Sequence, residues 1–148
     1  MKKLLFLFVM IASSIIVFAG GAAAQEQESD LVKVPLNNYL QGQSTGKAEF
    51  IRKAFHKDAR IMAFRDGKLM NWDVEEFAKR FEGTSAKDEA QRKREIVSID
   101  ISGNAAIAKL SLDYPTVKFI DYMALLKVDG EWKIVSKSFY AEPKQPVK

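Results

Sequence analysis

The chain has 148 residues, 47% of them hydrophobic, with 23 basic residues against 19 acidic ones, one histidine and no cysteine. That length suits one domain with a modest core. The missing cysteines exclude a disulfide framework and thiolate chemistry, and a net charge of +4 without a clustered basic face excludes nucleic acid as a partner.

The first segment reads as an address label. Lys2 and Lys3 precede an apolar run from Leu4 to Phe18, and Ala22-Ala23-Ala24 supplies the small residues of a cleavage site before Gln25. The run is shorter than the roughly 20 residues that span a bilayer. The expectation is therefore an exported protein, periplasmic or secreted, cut after Ala24 and meeting the membrane only in transit. Removal of residues 1–24 takes two of the 23 basic residues and none of the 19 acids, leaving a net charge of +2. Residues 25–30 read as a frayed start, 31–141 as the folded domain, and 142–148 as a flexible tail.

Val32, Leu36, Tyr39 and Leu40 recur at helical spacing and predict a first helix ending near Gly42. Phe50, Ile51, Ala54 and Phe55 predict a second, shorter one. Ala59–Phe64 and Lys68–Trp72 flank Asp66-Gly67, a pair suited to a two-residue hairpin turn. Asp73 can cap a third helix that carries Phe77, Ala78 and Phe81 inward and ends at Gly83. The basic cluster Arg92-Lys93-Arg94 reads as a solvated start to the next strand.

From Arg94 to Tyr140 the period is two, which predicts four strands joined at Gly103-Asn104, Pro115-Thr116 and Asp129-Gly130. Taking each turn as a two-residue loop sets Ile101 against Ala106, Ile99 against Ala108 and Val97 against Leu110. The same rule sets Leu112 against Phe119, Leu110 against Asp121, Ala108 against Met123, Leu125 against Ile134, Met123 against Ser136 and Asp121 against Ser138. One face then stays apolar throughout, and it is expected to be the concave face that the helices cover. The other face holds Lys109, Ser111, Lys133 and Lys137, an expected exposed pair between Asp113 and Lys118, and the apolar residues Ile120, Tyr122, Leu126 and Val135. That apolar surface predicts a homodimer packed sheet against sheet.

Phe119–Phe139 resembles the closing hairpin of the nuclear transport factor 2-like superfamily, in particular the branch named putative lumazine-binding. Ala54–Arg60 resembles that branch's motif after its second helix, and Ile96–Tyr114 follows its middle strands. The resemblance spans nearly all of residues 31–140. It implies an α+β fold in which a cone-shaped, curved antiparallel sheet surrounds a pocket, with a long bent helix as lid. The superfamily holds isomerases, dehydratases and cyclases beside members that only bind or bridge.

Asp121 is the one carboxylate on the apolar face, and a carboxylate there must be hydrogen-bonded, paired or protonated. By resemblance, such a group moves protons next to carbonyls. His56, between a helix and a strand, is the second catalytic candidate, although a helix-end or hinge role fits it as well. Tyr39, Trp72, Leu110, Phe119, Met123, Ser138 and Tyr140, together with Asp121, are the expected ligand contacts. With one histidine and no cysteine no metal site is expected, and no phosphate-binding, nucleophile-elbow or redox motif calls for a cofactor. Three functions stay open: a non-catalytic exported binder of a small apolar or aromatic-ring ligand, a cofactor-free lyase or isomerase that uses Asp121, and an interaction protein whose outer sheet face is the working surface.

Overall fold

The computed structural model describes residues 16–145, with side chains from Gln25 onward. The expected signal sequence therefore falls largely outside the described residues, as does the end of the expected tail. In chain order the elements are α1 (Ile16–Thr45), α2 (Ala48–Ala54), β1 (Phe55–Arg65), β2 (Lys68–Trp72), α3 (Val74–Ala78), β3 (Lys93–Ser102), β4 (Ala105–Asp113), β5 (Val117–Val128) and β6 (Glu131–Pro143), with a short 3₁₀ turn at Glu89–Gln91 before β3. Six strands form one sheet in the order β2-β1-β6-β5-β4-β3. All neighbours are antiparallel except β1 and β6, which run parallel, so the sheet is mixed rather than purely antiparallel. Among the described residues no helix is long and apolar enough to cross a membrane.

The helices lie where the apolar spacing puts them. Val32, Leu36 and Tyr39 face the sheet from α1, and Ile51 and Ala54 from α2. Residues 25–30, expected to fray, are helical, because Glu28 accepts hydrogen bonds from Lys127 Nζ at 2.7 Å and Trp132 Nε1 at 3.0 Å. Pro35 lies inside α1 and removes one backbone donor from it. Asp73 caps α3 through a reciprocal box: its carboxylate accepts from Glu76 N and Glu76 Oε2 accepts from Asp73 N. At the other end β6 runs on to Pro143, so ordered structure extends past the expected start of the tail at 142.

The hairpin turns have the predicted lengths, and Asp66 and Asp129 take the positive φ that their turns require. Two bulges break the predicted register. In β3 the ladder slips between Ile96 and Ser98, so Leu110 faces Ile96 and not Val97, which is turned out to solvent. In β6 it slips opposite Ala124: Leu125 pairs with Ile134 as predicted, but Ala124 pairs with Ser136, so Val135 is the surplus residue. Every side chain after it changes face. Met123 therefore meets Lys137, and Asp121 meets Phe139, where Ser136 and Ser138 were expected. Asp113 also departs from expectation. It lies across from Lys118 in the ladder, but its ion pair is with Lys144.

Candidate functional site

The slip in β6 creates the chemistry of the concave face. It takes Lys137 from the outer face and buries it to 3% exposure beside Asp121, which is fully buried. Lys137 Nζ donates to Asp121 Oδ1 at 2.8 Å, and the Tyr39 hydroxyl on α1 donates to Oδ2 at 2.7 Å. Both carboxylate oxygens are thus occupied, and the buried charge has an opposite charge in contact. Burial pushes the Lys137 ammonium below its ordinary range, while Asp121 pulls it back up. Burial and then the charge of Asp121 push the Tyr39 phenol well above its usual value, which fixes it as a neutral donor.

A polar chain leads away from this pair. Gln43 Nε2 donates to the Tyr39 oxygen at 3.0 Å, and the Tyr114 hydroxyl donates to Gln43 Oε1 at 3.3 Å. Arg94 donates to Tyr114 at 3.1 Å and to both oxygens of Glu89 at 2.6 and 2.8 Å. Burial opposes the Arg94 charge, but its bonds to Glu89 and Tyr114 prevail and hold its pKa above the usual value. Arg92 lies over the Tyr114 ring at 4.2 Å. The cluster read as a solvated strand start is therefore half turned inward, with the Arg94 side chain only 8% exposed.

Around the pair lies a cavity of about 480 Å³, walled by Phe77, Phe81, Leu112, Tyr114, Phe119 and Phe139. Its inner end holds Tyr39, Asp121 and Lys137, and its mouth carries the exposed Arg80, Thr84, Ser85 and Lys87. The Lys137 ammonium stands 3.9 Å from the Phe139 ring centroid and 5.7 Å from that of Tyr39, so aromatic rings flank it beside Asp121. Gly46 lines the same cavity at φ +68°, and a Cβ there would run into the Thr84 carbonyl. The close approach ties the end of α1 to the loop after α3 through Gly83 N donating to Gly46 O at 2.7 Å.

Residues 27–140 match the family model described as "Putative lumazine-binding". The chain belongs to this family. Solved relatives of nuclear transport factor 2-like type share the architecture. One from Shewanella baltica is 29% identical over 80% of this chain and 96% of its own, with a TM-score of 0.72. Another, from Methylobacillus flagellatus, is 31% identical over 78% of this chain and 93% of its own, with a TM-score of 0.69. Both are described as proteins of unknown function. A curated relative from Cladobotryum sp, named Aldolase FrzH, is 25% identical over 79% of this chain and 94% of its own length.

In this member of the family, three of the sequence-derived contacts line the cavity: Tyr39, Phe119 and Asp121. Leu110 and Met123 are packed in the core behind the cavity wall. Trp72 stacks on Phe139 at 6.3 Å and sits beneath Arg80, one layer outside the cavity. Ser138 and Tyr140 follow the surplus residue and point to the outer face, where Tyr140 is 61% exposed. His56 is the second residue of β1 and does not line the cavity, its Nδ1 accepting from Asp58 N at 3.3 Å. Lys137, Phe139, Tyr114, Gln43 and Arg94 were missed. The signal for Lys137 and Phe139 is a change of phase: the inward apolar residues are Trp132 and Ile134 before the bulge, then Phe139 and Ala141 after it.

Proposed function

We propose that this chain is an exported, non-catalytic binding protein for a small, ring-containing molecule held in the aromatic cavity with its polar end toward Asp121, Lys137 and Tyr39. The observation that carries this reading is the buried polar cluster of Asp121, Lys137 and Tyr39 at the inner end of a cavity of about 480 Å³ whose walls are largely aromatic and whose mouth is polar, the usual make-up of a small-molecule site. Family membership supports the same class of function. Benzyl alcohol and larger aromatic alcohols should raise the unfolding midpoint of the wild type. A Leu112→Trp variant, which fills the cavity, should lose that response. Equal shifts in both proteins would overturn the reading.

Cleavage after Ala24 is part of the proposal. Glu28, only four residues beyond the cut, already docks on Lys127 and Trp132, so the processed chain keeps the contacts that anchor α1. Protein recovered from the native envelope should have an intact mass beginning at Gln25. A mass that retains residues 1–24 would refute export by cleavage.

A second reading, cofactor-free lyase or isomerase chemistry, is favoured by one specific arrangement. Asp121 is a carboxylate held by the Tyr39 phenol and beside the Lys137 ammonium at 2.8 Å, whose remaining N–H groups suit an enolate oxygen, and a relative covered over 94% of its length is named an aldolase. Exchange of the α-protons of phenylacetone in D₂O, followed by NMR, tests it. Exchange above background that vanishes in Asp121→Asn would establish the activity, and background exchange alone would remove it.

A further inference from the structure

We propose that Lys137 is a carbonyl-capturing nucleophile: it forms an imine with an aldehyde or ketone that enters the cavity, and Asp121 carries the protons. This rests on the cavity being the ligand site and goes beyond it by naming the ligand class and the bonding atom.

Lysine is an unusual choice for a buried wall position. A structural partner for Asp121 could be any neutral donor, and Tyr39 already supplies one at 2.7 Å. Lys137 instead is a lining residue of the cavity, with its amine nitrogen 3.9 Å from one aromatic ring centroid and in contact with one carboxylate. The pair is neutral overall, so moving a proton from Nζ to Oδ1 changes no net charge in the dry interior. Desolvation disfavours the Lys137 ammonium and so narrows the cost of that transfer. The amine so formed is held at the cavity wall beside the Phe139 ring and Asp121.

Proton and electron accounts close. The Nζ lone pair adds to the carbonyl carbon, a C–N bond forms, and the C=O π pair moves to oxygen, which takes one proton from the attacking nitrogen to give a neutral carbinolamine. The proton held by Asp121 then passes to the hydroxyl, the C–O bond breaks, and water leaves. The nitrogen lone pair closes the C=N bond, and the resulting iminium, with one hydrogen on nitrogen, stands beside ionised Asp121. The ammonium–carboxylate pair plus a carbonyl thus becomes an iminium–carboxylate pair plus water. No oxidant, reductant or metal takes part. The Phe139 face and Asp121 hold the iminium as they hold the ammonium.

The test uses benzaldehyde as probe, with sodium cyanoborohydride at neutral pH to reduce any imine to a stable benzylamine, followed by peptide mapping. Benzyl alcohol, which has no carbonyl, serves as competitor and, through its thermal shift, as an independent measure of cavity binding. The expected result is benzylation at Lys137 faster than at the exposed lysines, because burial favours the free amine there, with excess benzyl alcohol protecting Lys137 alone. Lys137→Arg should lose that one label and keep the others. If that variant does not fold, selective protection by benzyl alcohol in the wild type gives the same answer. A midpoint shift with benzyl alcohol but no label at Lys137 overturns the imine inference and leaves the cavity reading standing. Absence of both overturns both. Label at Lys137 that benzyl alcohol does not reduce also overturns the inference, because the reaction would then bypass the cavity.

Discussion

Asp121 has no contact with water, and its two partners decide what its replacement does. From sequence alone, Asp121→Asn reads two ways: nearly silent or stabilising where the carboxylate serves a ligand, and a loss of about 1 to 3 kcal/mol where it anchors the fold through hydrogen bonds. With Lys137 in contact, the same change strands an ammonium in the interior, and losing one partner of a buried pair costs on the order of 3 kcal/mol. Urea unfolding of Asp121→Asn should show a loss of about that size. The double change Asp121→Leu with Lys137→Met should recover most of it, because a well-packed apolar pair can replace a buried ion pair at little cost. A double variant as unstable as the single one would mean that the pair is not the source of the loss. Asp121 was legible in the sequence because a carboxylate on an apolar face is conspicuous. Its partner was not, since a lysine on a strand looks like any solvated lysine until its face is known.

At the level of elements, spacing and turn chemistry carried most of the reading. Asp66-Gly67, Pro115-Thr116 and Asp129-Gly130 lie at two-residue turns, and pairings near those turns are as expected from them. What sequence did not reveal were the surplus residues in β3 and β6. A bulge changes face by one position without altering composition, so its effects accumulate with distance from the turn. Lys137, Ser138 and Tyr140 lie beyond the bulge in β6, and that is why their faces were reversed while Trp132 and Ile134 were correct. The join between α1 and the loop after α3 was equally hidden, because it depends on backbone proximity. Gly46→Ala tests it: with φ at +68° and the Thr84 carbonyl in the way, denaturant unfolding should show a loss of more than about 2 kcal/mol. Gly103→Ala, at φ +60° with open space around it, should lose only about 1 kcal/mol for the left-handed backbone. Equal losses would mean that the close approach contributes nothing and that conformation alone explains both.

For the whole molecule, the curved sheet has one face committed to the helices and cavity, and the other still carries apolar side chains with no cover. Ile107, Tyr122 and Leu126 are exposed on adjacent strands β4 and β5, Tyr140 joins them from β6, and Tyr122 alone is 53% exposed. Ile120 and Val135 lie half-buried on the same expected dimer surface. Exposed apolar residues on three adjacent strands, interspersed with Lys109, Lys133 and Ser138, are more than a lone surface hydrophobe, and a second copy packing sheet against sheet would cover them on both chains at once. Light scattering at micromolar concentration should give twice the chain mass. Tyr122→Glu combined with Leu126→Lys should return the mass to that of one chain, because unpaired charges would have to be buried at the centre of the contact. The cavity opens on the opposite side of the sheet, at Arg80 and the loop after α3, so the single-chain variant should keep the thermal shift with benzyl alcohol. A wild type that scatters as one chain would remove the dimer and leave the cavity untouched. A variant that loses both dimer and ligand response would instead tie the outer face to the integrity of the cavity, through the strand β5 that carries Tyr122 outward and Asp121 inward.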